Sequence, residues 1–177
     1  PEMGAHIKLA DLRGTHSLPE LKVEEWRGFL FVCFSDSPPK LEERLVRLSE
    51  EIHNHHIEEL VATPTVDWDD QLWNWKFMHE NAIEPYHTAY LHQKVHDFAP
   101  STKATFAEWV DEDDGAIYHP TGFNYMDGNF TPNFRSMFPP IETLTESERE
   151  RVMFACLMPN LFFAAVPDGV LYYLLLP

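Results

Sequence analysis

The chain has 177 residues, of which 44% are hydrophobic and 14% aromatic, enough to bury the core of one globular domain. Its 29 acidic and 13 basic residues give a formal charge of −16 at pH 7. Because this charge repels phosphate backbones and anionic lipid, we expect neither nucleic acid nor a membrane surface as a partner. The longest apolar runs, 161–166 and 170–176, are far shorter than the ~20 residues that span a bilayer.

The cysteines and the chain ends indicate the setting of the protein. Cys33 and Cys156 have no neighbouring Cys or His at a metal-ligand spacing, so we expect reduced, buried side chains in an intracellular, cytoplasmic protein. The sequence begins at Pro1 and stops at Pro177, directly after an apolar run. We therefore expect an internal piece of a longer polypeptide.

The first third of the chain is predicted to form a loop, a strand and a helix. Residues 1–20 have few periodic apolar positions and are typical of a loop. The β-branched and aromatic run 29–34 predicts a buried strand, which the sequence SDSPP ends. The next apolar residues recur at the spacing of one face of an amphipathic helix: Leu41, Leu45, Leu48 and Ile52.

A histidine-rich stretch, HNHH at 53–56, follows this helix. Adjacent histidines point in different directions, and no carboxylate or cysteine accompanies them at a ligand spacing. We therefore expect a solvated surface turn there and not a metal site. Residues 58–70 contain strand-like residues, and Asp69 and Asp70 are predicted to begin the next helix, where their charge complements its dipole.

The sequence NWKFMHENAIEPYHTAYLH, residues 74–92, is the most informative stretch of the chain. It contains Glu84, His87 and His92, each able to bind a metal or relay a proton. Histidines five residues apart do not share a face of a regular helix, but Pro85 should break the helix and let the two imidazoles converge. Two histidines and a carboxylate with open positions are typical of non-haem Fe(II) oxygenases.

Two other interpretations of these histidines are open. In a chain with ten histidines, such a pair also arises by chance, as two imidazoles at the surface or the core edge. A three-histidine zinc site would include His96. The zinc hydrolase motif H-E-x-x-H is absent, because His79-Glu80 is followed by Ile83 where the second histidine is required.

The rest of the chain is predicted to form two hairpins around a loop and a helix. Residues 105–110 and 116–119 flank an acidic turn, and 161–166 and 170–176 flank Pro-Asp-Gly. Residues 120–143 form an irregular, aromatic loop that either covers a substrate pocket or packs down on itself. Thr145-Glu146-Ser147-Glu148 is a capping-box pattern, which predicts a helix to about Cys156.

The central stretch resembles the mononuclear-iron motif of the Rieske-type non-haem iron oxygenases, the alpha subunits of ring-hydroxylating dioxygenases and their monooxygenase relatives. That motif runs N-W-K, then Asn, two residues, Asp or Glu, two residues, His, four residues, His. Residues 74–76, Asn81, Glu84, His87 and His92 match it. The sequence W-R-G-F-L-F-V and the later P-N-L also resemble family segments, so the likeness covers roughly 21–177 and is dense only at 74–92.

The resemblance implies an α+β fold, the helix-grip architecture in which an antiparallel sheet curves around long helices. Residues 1–35 would be the tail of an upstream Rieske domain with a crossover strand, and 36–177 a mononuclear-iron catalytic domain, incomplete at its C-terminus. The third iron ligand of the family is a distant carboxylate. Because the hairpin turn already explains Asp168, we expect that ligand beyond Pro177.

The resemblance also implies a role for each site residue. His87 and His92 would bind the iron, Asn81 would lie beside it, and Tyr86 would pack behind it. Glu84 would link an iron histidine to a Rieske histidine of the neighbouring subunit, across a head-to-tail trimer interface.

The implied reaction is activation of O₂ at a mononuclear Fe(II), hydroxylating a small organic substrate, preferably aromatic. Electrons would come from NAD(P)H through a reductase and a ferredoxin to a [2Fe–2S] cluster. That cluster would lie in a domain absent from this chain, which lacks the C-x-H and C-x-x-H pairs. The assembly would be a homotrimer or α3β3.

Two alternatives to this function are open. Glu at position 84 is also seen in relatives that act on quaternary amines such as carnitine or betaine, by hydroxylation or oxidative demethylation. A helix-grip domain without iron would instead bind apolar ligands, and His87 and His92 would then be incidental.

Overall fold

A computed structural model describes residue 12 and residues 16–68, 71–108 and 115–176. The chain divides into two compact units, 1–38 and 39–177, and each is described by itself. Asp69, Asp70 and the acidic turn at 111–114 lie outside the described residues, so the expectations for them remain predictions.

The first unit contains an antiparallel hairpin of β1 (Lys22–Trp26) and β2 (Phe29–Cys33). Its two turn residues, Arg27 and Gly28, both have positive φ angles, as a two-residue hairpin turn requires. The predicted strand is confirmed, but its predicted burial is wrong, because Leu30 and Val32 are 72% and 53% exposed. A two-stranded ribbon directs alternate side chains to opposite faces and cannot cover both.

The second unit is built on an antiparallel sheet in the order β3 (Ala116–Gly122), β4 (Arg151–Leu157), β5 (Leu161–Val166) and β6 (Gly169–Leu174). Strand β5 is buried along its whole length. The hairpin predicted from the Pro-Asp-Gly turn is thus confirmed. The helices and this sheet together confirm the α+β class.

The hairpin predicted for 105–119 is only partly found. Ala104 bridges Thr121, and the amide of Thr105 donates to the carbonyl of Pro120 at 3.0 Å. Residues 105–108 form no strand. Pairing with β3 among the described residues of this segment is therefore limited to contacts at Ala104 and Thr105.

Five helices are present within the described second unit: α1 (Leu41–Glu51), α2 (Lys76–Ile83), α3 (Thr88–Leu91), α4 (Gln93–Phe98) and α5 (Glu146–Arg149). Single 3₁₀ turns occupy His53–His55, Ile57–Glu59 and Ser101–Lys103. Of the apolar stripe predicted for α1, Leu45, Leu48 and Ile52 are buried as expected and Leu41 is half-buried. None of the helices within the described residues has both the length and the apolar character to cross a bilayer.

Two predicted elements differ from the structure. Residues 60–68 contain no strand, only extended chain after a 3₁₀ turn. The capping box at Thr145 is present, with Glu148 reciprocating, but α5 ends at Arg149 and not near Cys156. The residues that follow pair with both β3 and β5, and this pairing overrides the helix that the capping signal predicts.

Helix α2 lies against one face of the sheet. Its residues Met78, Ala82 and Ile83 pack on a buried cluster that includes Cys156 and Phe162 of neighbouring strands. Cys156 is fully buried, and burial raises the pKa of its thiol to about 12. The expected burial of this cysteine is confirmed, whereas Cys33 is only half-buried; neither is in a disulfide.

The histidine-rich turn is not the solvated turn that we expect from the sequence. His55 is 3% exposed, and neither of its ring nitrogens has a hydrogen-bond partner among the described residues. Asn54 donates from its amide to both carboxylate oxygens of Glu148, at 3.2 and 3.0 Å. This contact draws the turn against α5 and turns His55 into the core. Burial lowers the pKa of His55 from 6.5 to about 4, with Glu148 opposing the shift and Arg151 reinforcing it.

The burial of His55 predicts that the folded protein loses stability as the pH falls. As the pH falls from 6.5 to 4, the unfolded chain protonates at His55 but the folded chain does not, so stability falls by on the order of 3 kcal/mol. His55→Gln should remove this part of the pH dependence, measured as the free energy of urea unfolding at pH 7, 5.5 and 4.5. The control is His53→Gln, which changes an exposed histidine of the same turn. Identical pH profiles for wild type and His55→Gln would contradict the assignment.

Candidate functional site

The candidate site lies where the chain of helices α2, α3 and α4 is interrupted. Helix α2 ends at Ile83, and Glu84, the residue before Pro85, has extended backbone angles of φ −109° and ψ 102°. A residue preceding proline is pushed out of the helical region, so the predicted break is confirmed. A second break, which we do not predict from the sequence, falls at His92 between α3 and α4.

These two breaks bring the histidines together. The ring centres of His87 and His92 are 5.3 Å apart, and the ring planes meet at 81°. On one regular helix, residues five apart point about 140° away from each other. His87 precedes the short helix α3 and His92 follows it, so the interruption is what allows the two imidazoles to approach.

Glu84 and Asn81 complete the group. The Nδ1 atom of His87 is 3.2 Å from Oε2 of Glu84, whose other oxygen accepts a hydrogen bond from the amide of Tyr86. A carboxylate only accepts hydrogen bonds, so in the neutral imidazole of His87 the proton is on Nδ1 and Nε2 presents a lone pair. Asn81 Nδ2 lies 3.5 Å from that Nε2. The structure therefore brings all four predicted site residues into one region.

The donor set fits a transition metal. With metal–nitrogen bonds of about 2.1 Å, two imidazoles on one ion hold their ring centres roughly 5 Å apart, close to the separation found here. The described residues contain no group of three or more His, Cys, Asp or Glu side chains placed to bind a metal. The two imidazoles thus lie at a separation that suits one shared metal ion, and their binding of iron and the third ligand stay predictions.

Two other candidate ligands are engaged elsewhere. The Nδ1 atom of His96 lies 3.2 Å from Thr88 Oγ1 and accepts from the amide of Ser101, so the three-histidine zinc alternative gains no support. Asp168 accepts three hydrogen bonds, from Asn129 and from the amides of residues 137 and 138. The carboxylate of Asp168 is therefore structural, as its place in the turn predicts.

The expectation for Tyr86 is not met. Its side chain is 72% exposed, so it does not pack behind the histidines. The side chain of Tyr86 points outwards, and its amide is bound to Glu84 within the turn.

An open groove of about 320 Å³ lies in the same unit, and its lining includes Lys103, Gly122, Glu150 and Arg151. None of the four site residues lines this groove, so we place the chemistry at the histidines.

His79 is a supporting residue that the sequence analysis leaves without a structural role. It is 4% exposed, and its Nε2 donates to the carbonyl of Pro159 at 3.0 Å. Cys156 donates from Sγ to the carbonyl of His79 at 3.8 Å. These contacts tie α2 to the sheet, and burial lowers the pKa of His79. The sequence indicates this role through the spacing of three and four residues that places His79 on the same inward helical face as Ala82 and Ile83.

The aromatic loop packs down on itself, the second of its two predicted arrangements. The ring of Phe98 stacks on Phe123 at 4.3 Å and on Phe134 at 5.1 Å, with Tyr125 at 5.2 Å and Phe130 at 5.8 Å. Residues 123–145 contain no helix or strand. These contacts hold the loop against the end of α4.

Comparison with known proteins finds one matching family model and several relatives. The model described as "Ring hydroxylating alpha subunit (catalytic domain)" matches residues 49–177. The glycine betaine monooxygenase oxygenase subunit of Chromohalobacter salexigens is 29% identical over 101 residues, which are 57% of this chain and 21% of that protein.

Two solved structures share the fold. The quaternary ammonium Rieske monooxygenase CntA, in complex with an inhibitor, has a TM-score of 0.59 and 19% identity over 86% of this chain and 37% of its own. A quaternary ammonium Rieske monooxygenase studied for carnitine oxidation by gut microbiota has a TM-score of 0.54 and 19% identity, covering 86% and 38%. At this identity the likeness concerns the fold. The chain spans about a fifth to two fifths of the length of these relatives.

The geometry predicts which histidines bind metal. His87→Ala or His92→Ala should lower the affinity for Fe(II), or for Co(II) as a spectroscopic probe, by at least about 100-fold, because each removes one of two nitrogen donors. His96→Ala, which changes the nearest other histidine of the helices, should keep the wild-type affinity. Full metal binding in either of the first two variants would contradict the ligand assignment.

Proposed function

We infer the function from one premise: this chain belongs to the ring hydroxylating alpha subunit family, whose catalytic-domain model matches its residues 49–177. We propose that the protein is part of a terminal oxygenase that hydroxylates a small organic substrate with O₂ and electrons from NAD(P)H. The observation that carries this proposal is the pair of facing imidazoles, one of them held by a carboxylate.

The iron would be held by His87 and His92. The metal, when bound, would supply the reductive activation of O₂. Glu84 keeps the proton of His87 on Nδ1 and so leaves Nε2 unprotonated, which is the state that a metal ligand requires. Asn81, 3.5 Å from that nitrogen, is proposed to lie beside the iron and orient what approaches it. The third ligand, a carboxylate, is proposed to lie beyond residue 177.

Glu84 is proposed to serve a second partner as well. Its side chain is 43% exposed, whereas the His87 side chain beside it is 18% exposed. A carboxylate so placed can accept a further hydrogen bond from outside the chain while it still orients His87. We propose that this outside donor is a histidine ligand of a [2Fe–2S] cluster on the neighbouring subunit.

The assembly and the electron carriers follow from the family. We propose a homotrimer or an α3β3 complex with a Rieske domain whose cluster-binding part lies outside this chain, served by a reductase and a ferredoxin. The first compact unit, with its exposed hairpin, is proposed to be the end of that domain. We also keep the cytoplasmic location as a proposal.

We propose a quaternary ammonium compound as the substrate. This choice is supported by the names of the relatives and by the charge of −16, which attracts cations. Oxidative demethylation of such a compound would consume O₂, two electrons and two protons, and release a protonated tertiary amine, formaldehyde and water. An aromatic substrate is the second candidate, favoured by the family's description.

The substrate proposal is tested with the full-length protein and its reductase. We expect glycine betaine or carnitine to stimulate NADH oxidation with matching product formation, and benzoate or toluene not to do so. Turnover of the aromatic compounds alone would replace the first candidate by the second. A purified protein without iron or turnover, and with affinity for apolar ligands, would support the non-enzymatic alternative.

Glu84→Gln tests the proposed electron path. The amide keeps the shape of the side chain but loses the charge that stabilises a neighbouring imidazole proton. At equal iron content, oxidation of the reduced cluster in a single turnover with substrate and O₂ should slow at least tenfold. Glu80→Gln, the same change on an exposed position of α2, is the control and should not slow it. Equal rates in all three proteins would reduce Glu84 to a structural residue.

A further inference from the structure

The two histidines are held in different ways. His87 is fixed from within its own turn by Glu84, whereas His92 is followed directly by α4, a helix of six residues. A helix this short has little stability of its own, so its position depends on its contacts, at His96 with Thr88 and at its far end. That end is Phe98.

Phe98 is held by residues 123–138, which we call the aromatic clamp. Four rings of the clamp surround the ring of Phe98, with centres 4.3 to 5.8 Å away. Asn124 also satisfies the end of the helix, because its amide donates to the carbonyl of Phe98 at 2.9 Å and its side chain to that of Asp97 at 2.7 Å. The last carbonyls of a helix have no partner within it, and here the clamp supplies one.

The lack of a side chain at Gly128 lets the aromatic clamp lie close to the ring of Phe98. A Cβ atom at this position would lie 2.3 Å from Cε2 and 2.5 Å from Cζ of Phe98. These distances are far below van der Waals contact, so any other residue would displace either the clamp or the ring. Gly128 also bridges Arg135 across the clamp, which leaves the backbone little freedom to move away.

Asp168 fastens the clamp to the sheet. From the turn between β5 and β6, it accepts from Asn129 Nδ2 at 2.6 Å and from the amides of Met137 and Phe138 at 2.8 and 3.2 Å. Arg149 holds the middle of the clamp, donating from Nε to Asp127 at 2.7 Å. The clamp is therefore anchored on two elements of the second unit.

We propose that the aromatic clamp positions His92 for metal binding, and that Phe98, Gly128 and Asp168 are positioning residues of the metal site. The path runs from the sheet through Asp168 to the clamp, from the clamp to Phe98, and through the six residues of α4 to His92. This inference rests on the proposed role of His92 as a ligand.

Gly128→Ala in the full-length protein tests the clamp. We expect the dissociation constant for Co(II), added to metal-free protein and followed by its absorption bands, to rise about tenfold, the lower end of the range for residues that support metal ligands. Gly169→Ala is the matched control, because a Cβ there meets nothing within 4 Å, and its dissociation constant should stay within twofold of wild type. Leu48→Ala, in the buried face of α1, controls for loss of stability alone.

The variant Phe98→Leu tests whether the effect of Gly128→Ala passes through the ring of Phe98. In Phe98→Leu the two atoms closest to the new Cβ are gone and only Cδ2 of Phe123, at 3.0 Å, remains beside it, so Gly128→Ala should then change the dissociation constant less than twofold. Asp168→Asn is the alternative test if Gly128→Ala does not fold. This change replaces an acceptor oxygen by a donor, and it should also raise the dissociation constant for Co(II).

Three results would overturn the proposal. They are an unchanged dissociation constant in folded Gly128→Ala or Asp168→Asn, an equal rise in Leu48→Ala, or a tenfold effect of Gly128→Ala that persists with Phe98→Leu. A different result would contradict the proposed function itself: wild type and His92→Ala would then bind Co(II) with equal affinity.

Discussion

The site depends on one backbone constraint, the extended conformation that Pro85 imposes on Glu84. A continuous helix from α2 to α4 would carry His87 and His92 about 140° apart, on different faces. Because the helix stops, the carboxylate of Glu84 falls back on the turn that follows, and α3 and α4 start in new directions. The pairing of the imidazoles depends on this interruption together with the second break at His92, and the contact between Glu84 and His87 lies within the turn that the first break creates.

What the sequence predicts correctly is what neighbouring residues determine. The buried stripe of α1, the break at Pro85, the capping box of Thr145 and the hairpin at Pro-Asp-Gly each follow from chemistry within a few residues. The grouping of His87 with Glu84 belongs to the same class, because the two residues are three apart.

What the sequence does not predict is set by contacts between distant parts of the chain. The segment after Thr145 forms β4 because β3 and β5 flank it, although its capping signal alone favours a helix. His55 is buried because Asn54 reaches Glu148, 94 residues later. The exposed faces of β2 follow likewise from the absence of a third strand beside the described hairpin, which no pattern within residues 29–34 indicates. Each of these errors is one of tertiary context overriding a local preference.

The carboxylate of Glu84 has both oxygens engaged by groups within three residues, one by the amide of Tyr86 and one by His87. A dipole held in this way is preorganised: it is oriented once, when the chain folds, and need not rotate when the charge of a neighbouring group changes. The four residues from Glu84 to His87 thus form a local unit whose hydrogen bonds are set when the chain folds, encoded almost entirely by one proline and the turn it creates.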